Sequence, residues 1–326
     1  MRRTGDDVRS PAGPVGLADR PPAGEPGGRG ITPALAGGIV LASASGYPVG
    51  ALGVGAAPPF LLTAGRIALA AVLMTCIAVA VRARRPRGRL LAHTMVVGVL
   101  GHCVHFAGLY GGLAVGVPPA VSALVFGLHP VLTAVLAGLV LHERPRARQL
   151  VGLVLGVLAV LLALGGRLLS AGGLDAGSAL TLVGLMGLVS SAVWQQRFCA
   201  GVDLRAATAV QLSAAVPPLL VLAVLEGGTV HDWRTAGWVA LWLVVVNSIV
   251  GTRLQLEAVR RAGAARTSTV FCLVPSTAAL LSWVMGNGTL NAGVVAGLVL
   301  GAAASVLGLR STPAARTATA PERTGS

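Results

Sequence analysis

The chain has 326 residues, of which 54% are apolar and only 11% charged, and its formal net charge is +14. So little charge excludes an ordinary soluble domain, in which about a quarter of the residues are charged. Nor is the basic excess a nucleic-acid footprint: there is no Lys, and the arginines fall in short loops and tails, a distribution that orients a protein in a bilayer.

In chain order, residues 1–30 are rich in Pro, Gly, Arg and Asp, carry too little apolar surface to fold, and read as a solvated tail. No charged-then-apolar leader with a small-residue cleavage site precedes the first apolar run, so that run is expected to act as the membrane-targeting signal. Apolar runs of about 20 residues, each able to cross roughly 30 Å of hydrocarbon as a helix, then follow one another. They cover 31–51, 60–81, 91–111, 119–141, 150–169, 178–198, 206–225, 236–258, 266–285 and 290–309. The fold class expected is therefore an all-α integral membrane protein with ten transmembrane helices. The runs are continuously apolar and lack the in/out alternation of barrel strands. Residues 311–326 read as a second solvated tail. Cys76, Cys103, Cys199 and Cys272 show no pairing pattern and read as packing residues.

A cytoplasmic N-terminus places 22 of the 25 arginines on the inside, leaving Arg167 and Arg234 outside and Arg66 within the second helix. Translocating Arg is costly, so both termini are expected in the cytoplasm and the protein in the plasma membrane.

The string "GLVLG" occurs at Gly152–Gly156 and again at Gly297–Gly301. A gapless shift of 145 residues also brings Thr63 onto Thr208, Val125 onto Val270, Phe126 onto Phe271 and Pro130 onto Pro275. The two halves, 31–165 and 176–310, read as repeats of five helices each. Because five is odd, the second copy enters the bilayer from the opposite side, and the loop charges should exchange. They do: the basic "RARRPRGR" lies over "GTVHDWRT" to within one residue, and the uncharged "GLYGGLAVGVPP" over "RLQLEAVRRAGA". This is the signature of an inverted-topology repeat, whose halves form a midplane site and rock around it to give alternating access.

Arg66 in helix 2, "VSALVFGLHPVLTAVLAGLVLHERPRARQLVGLVLGVLAVLLAL" in helices 4 and 5, and "AARTSTVFCLVPSTAALLSWVMG" with "GLVLG" in the second half carry a resemblance. The chain resembles the drug/metabolite transporter superfamily in its EamA-type branch of paired five-helix repeats. That resemblance implies ten helices, cytoplasmic termini, a cavity between the halves, and export or exchange of small metabolites. One departure stands out. The second copy of the family pattern carries a Glu matching Glu143, and here that position is Gly288.

Several residues are candidates for the chemistry. Arg66, two turns inside helix 2, reads either as a snorkelling side chain or as a gate or substrate contact. His102 and His105 share one face of helix 3, with Tyr110 further along and His129 on helix 4; they read as packing groups or as cavity groups able to carry a coupling proton. "HCVH" lacks a convincing fourth ligand, so no metal site and no cofactor is expected. Tyr47 beside Pro48, Trp194, Gln195 and Asn247 add polar and aromatic groups that can line a pocket, with Trp194 equally suited to an interface anchor. Pro130 and Pro275 each remove a backbone donor, and the carbonyls they free near Phe126 and Phe271 either let the helix bend or bind a ligand, bending being the safer reading. Glu143, among arginines at the end of helix 4, reads as an interfacial ion pair or a coupling carboxylate. Arg253 and Glu257 can pair four residues apart as a cytoplasmic latch, with Arg261 a turn further on. Gly152 with Gly156, and Gly293, Gly297 and Gly301, form small-residue stripes for close helix packing.

The function expected is a secondary transporter of a small neutral, zwitterionic or amphipathic metabolite or drug. The partners are that substrate and the lipid bilayer, with no nucleic acid; the oligomeric state is left open. A membrane scaffold or sensor would carry a further soluble module, and an intramembrane enzyme would need a motif such as G-x-S-x-G or HExxH; the sequence contains none of these. A nucleotide-binding G-x-x-x-x-G-K-[ST] loop is absent as well.

Overall fold

The computed structural model describes residues 31–140, 147–170, 175–199, 201–286, 288 and 292–309, and the described residues are helical and joined by short connections. Helix α1 is Pro33–Ala56, α2 Pro59–Ala80, α3 Arg89–Ala114, α4 Pro119–Val140 and α5 Ala147–Ser170. Then come α6, Ala176–Phe198, α7, Leu204–Glu226, and α8, made of Trp233–Trp242, Leu243–Gly251 and Thr252–Val270. Next, α9 joins the tight turn Phe271–Leu273 to Val274–Val284, and α10 is Ala292–Leu309. Seven of these (α1 to α4 and α6 to α8) include stretches long and apolar enough to cross a membrane, and shorter apolar runs occupy α5, α9 and α10. The protein is a multi-pass membrane protein.

Local chemistry starts the helices. Thr32, Asp175, Asp203 and Asp232 each accept a backbone N–H from the first turn that follows, and Pro33 and Pro59 open α1 and α2, where a missing N–H costs nothing. Apolar side chains such as Leu69, Val72, Val183, Val221 and Leu241 remain exposed on the outer faces, as a lipid-facing surface requires.

Two helices widen. Val99–Val104 in α3 and Leu243–Gly251 in α8 are π-helical, which swells a turn and rotates the residues beyond it. Pro130 follows the break at Leu128, where α4 divides into Pro119–Gly127 and His129–Val140, and Pro275 follows the tight turn opening α9. The two sites meet: a Cβ on Gly127 would lie 2.8 Å from the Pro275 Cγ.

Packing is by antiparallel and crossing pairs, α2 with α7, α3 with α6, α1 with α8 and α9, α4 with α9, and α5 along α10. The last helical run of α8 meets the start of α1: Ala258 shares a cluster with Leu35 and Ile39, and Val270 and Phe271 pack against it. Beyond it α9 packs along α1, with Val274 and Ala278 clustered with Val40 and Ala44. Glycine makes the closest crossings. Gly156 and Gly301 are buried, and a Cβ on either would lie 2.6 Å from a Leu methyl of α4, Leu128 and Leu124 respectively. Gly152 and Gly297 are buried and Gly293 is half-buried.

Candidate functional site

A cavity of about 540 Å³ lies between α1, α2, α3, α7 and α8, within the range of small-molecule sites. Its wall takes Ser43, Gly46 and Tyr47 from α1, Arg66, Ala70 and Met74 from α2, and His102, His105, Phe106 and Tyr110 from α3. Arg205, Thr208 and Gln211 come from α7, and Asn247, Ser248, Thr252 and Gln255 from α8. At one end the lining residues Leu204, Arg205, Thr252 and Gln255 are exposed, so the cavity opens there. The other end is closed by buried apolar side chains, Ala56, Leu62, Leu109, Leu113, Val117 and Val239. Two backbone ties reinforce that end: the N–H groups of His231 and Asp232 donate to the Ala56 carbonyl, and Phe60 N–H donates to the Glu226 carboxylate at 3.0 Å.

Among the described residues, Arg66 is the buried charged group of the interior. It is only 5% exposed; its Nη1 donates to the Tyr110 hydroxyl at 2.9 Å, and its guanidinium carbon lies 3.9 Å from the centroid of Phe106. Among the described residues no carboxylate lines the cavity, and the Arg66 Nε has no hydrogen-bond partner. An unpaired buried ion costs several kcal/mol, of which the aromatic face and the phenol recover about 2 kcal/mol each. Tyr110 is fully buried against α1, where a Cβ on Gly50 would overlap its ring.

The other predicted site residues divide. His102 and His105 face the cavity, each stacked on Phe106, and the His105 Nδ1 sits 3.1 Å from the Gly101 carbonyl oxygen. His129 does not line the cavity. Asn247 lines it, donating to the Ala42 carbonyl at 2.9 Å and leaving its Oδ1 buried without a partner; the His102 Nδ1 is likewise unpartnered. Trp194 and Gln195 lie elsewhere: Trp194 packs with His93 and Phe198, and Gln195 accepts from Gln211 at 3.2 Å behind the wall. Glu143 lies outside the described residues.

One pairing differs from the sequence reading. Glu257 binds the Arg261 Nε at 2.7 Å and approaches Arg260 at 3.8 Å, and no Arg253 ion pair occurs among the described residues. The physical reason is directional: a Glu placed four residues before an Arg pairs better than the reverse order.

The sequence reading does not single out Phe106, Gln211 and Gln255, yet the 145-residue register held a signal for the last two. Gln211 falls on Arg66 and Gln255 on Tyr110, just as Asn247 falls on His102.

With this geometry established, similarity to known proteins becomes informative. The pattern of the EamA-like transporter family matches residues 31–165 and 176–310. The chain belongs to the EamA-like transporter family. It is 25% identical over 248 residues to the "Uncharacterized transporter YyaM" of Bacillus subtilis (strain 168), covering 72% of this chain and 79% of that protein. A solved structure described only as "Crystal structure of protein" shares the fold, with a TM-score of 0.58 at 19% identity over 84% of this chain and 94% of that one. Membership in this family makes the protein a membrane transporter.

Proposed function

We propose that the protein is a secondary transporter of the plasma membrane that exports or exchanges a small neutral, zwitterionic or amphipathic metabolite by alternating access. In this reading it crosses the bilayer ten times as two inverted five-helix repeats, 31–165 and 176–310, with both termini in the cytoplasm. The observation that carries it is the cavity wall. Three pairs of lining residues, Arg66 and Gln211, His102 and Asn247, and Tyr110 and Gln255, are each 145 positions apart. Support also comes from the π-helical turns: 99–104 moved by 145 falls within Leu243–Gly251. Helix packing follows the same exchange, since the pairing of α1 with α8 answers that of α6 with α3, and α1 with α9 answers α6 with α4. A site built from equivalent residues of inverted halves has two related conformations, which is the requirement for alternating access.

The open end carries Arg205, near the ends of α2 and α3 that flank Arg84, Arg85 and Arg87, so this conformation faces the cytoplasm in the proposed orientation. A proton gradient is the driving force this cavity can use without a further ligand set, through His102 and His105, whose imidazoles border it beside Arg66, Tyr47 and Tyr110.

The test is counterflow in reconstituted vesicles with a panel of labelled metabolites, combined with reporter fusions. Fusions near Arg84 should report cytoplasm and those near Gly55 and Asn287 the outside. A cytoplasmic signal at Asn287 removes the inverted repeat, and the absence of counterflow for every metabolite removes transport.

A further inference from the structure

We infer that Arg66 is the anion-binding group of the cavity, and that the substrate is a small organic acid with one carboxylate-type group and an apolar or aromatic body. The inference rests on the transporter reading and narrows it from neutral and zwitterionic solutes to an amphipathic anion.

The argument starts from an imbalance. Arg66 is buried, its guanidinium is spread over the face of Phe106, and one nitrogen is committed to the Tyr110 hydroxyl. Its Nε is left without a partner, and no described carboxylate lines the same space. Tyr110 is a neutral acceptor, so it holds the guanidinium in place without neutralising it. A guanidinium fixed in this way presents its remaining N–H groups as a planar fork suited to a carboxylate.

The second repeat sharpens the case. The position equivalent to Arg66 is Gln211, which is neutral and lines the same cavity. The second half does bring one cation to the lining, Arg205, but it is exposed at the open end, whereas the buried position opposite Arg66 is Gln211. One buried Arg opposite one Gln suits a single negative group held off the pseudo-symmetry axis. His102 and Asn247, another of the three equivalent pairs, also border the cavity, and each holds a buried polar atom without a partner, His102 Nδ1 and Asn247 Oδ1. Phe106, Ile67, Leu109 and Met74 supply the apolar wall beside them. A charged ammonium finds no carboxylate among the described lining residues, which disfavours cationic solutes.

The experiment measures equilibrium binding to the purified full-length protein in neutral detergent, free of anionic lipid, for acids paired with their primary amides. The probes are acetate and acetamide, hexanoate and hexanamide, benzoate and benzamide, and indole-3-acetate and indole-3-acetamide. At least one acid should bind about tenfold or more tightly than its amide. Arg66→Gln should abolish that ratio, Arg66→Lys should keep a reduced one, and Tyr110→Phe, which leaves the charge in place, should retain a preference for the acid. If no acid outcompetes its amide in the wild-type protein, or if the ratio survives in a folded Arg66→Gln variant, the inference is overturned. Counterflow with the same pairs separates the two readings. Acid binding without flux upholds the anion site and counts against transport, whereas flux of amides with acids excluded overturns the site and leaves the transporter standing.

Discussion

Gly108 offers a sharp test of the packing around the cavity. It lies on α3 between His105 and Tyr110, and a Cβ added there would sit 2.5 Å from the Cα and the N of Gly184 and from the carbonyl oxygen of Leu180, all backbone atoms of α6. Carbon atoms rest at about 3.5–4.0 Å, so Gly108→Ala requires α3 and α6 to part by roughly 1 Å. Overpacking costs about 1–3 kcal/mol, and backbone cannot rotate out of the way as a side chain can, which places this site near 3 kcal/mol. Alanine returns about 1 kcal/mol through its better helix propensity, leaving a net loss of about 2 kcal/mol. Gly65, exposed on α2 with no atom within 4 Å of its added Cβ, is the matched control. Gly65→Ala should gain about 0.5–1 kcal/mol, so the two variants should differ by roughly 3 kcal/mol. Reversible unfolding in mixed micelles, titrating dodecyl sulfate and following helicity, reads the difference. A Gly108→Ala variant that unfolds at or above the wild-type midpoint would refute the close approach of α3 and α6.

Asp232 accepts hydrogen bonds from the Thr235 hydroxyl and from the N–H groups of Thr235 and Arg234, which hold its carboxyl below its ordinary value near 3.8. A lowered pKa means a stabilisation that is complete above the ordinary value and lost as pH falls through the folded one. The stability gap between wild type and Asp232→Asn should therefore be widest at neutral pH and close in acid; a pH-independent gap would deny the carboxylate this role. Glu226→Ala removes the tie to the Phe60 N–H and should cost about 1 kcal/mol at this exposed position, and it should speed maleimide labelling of a cysteine placed at Ala56. An unchanged labelling rate would mean that the tie does not help close that end. His102→Gln and His105→Gln should each flatten the pH dependence of counterflow while His129→Gln, outside the cavity, leaves it intact; three wild-type profiles would exclude proton coupling through these groups. Gly156→Leu and Gly301→Leu should both lower the yield of folded protein, because Leu128 and Leu124 already occupy the space, and normal yields would dismiss the seam.

The membrane class, the positions of the apolar runs and the register between the halves were legible in the residues themselves. Each depends on what the chain meets in its surroundings: hydrocarbon demands long apolar helices, and translocation penalises Arg wherever it stands. Such constraints act residue by residue and leave a linear trace. The composition of the cavity did not, because whether a side chain faces a neighbour, the lipid or the void depends on how its helix is rotated. His129 and His105 look alike in sequence, but the helix break at Leu128 and the π-helical turn before His105 send them to different surroundings. Trp194 and Gln195 were plausible lining groups until the packing of α6 against α3 put them behind the wall. Glu257 had arginines on both sides at helical spacing, and the geometry of the turn selected Arg261. Arg66 is the sharpest case. Its depth in α2 followed from counting residues, whereas its commitment to Tyr110 and Phe106, and the absence of any described carboxylate beside it, exist only once α2 and α3 are packed together.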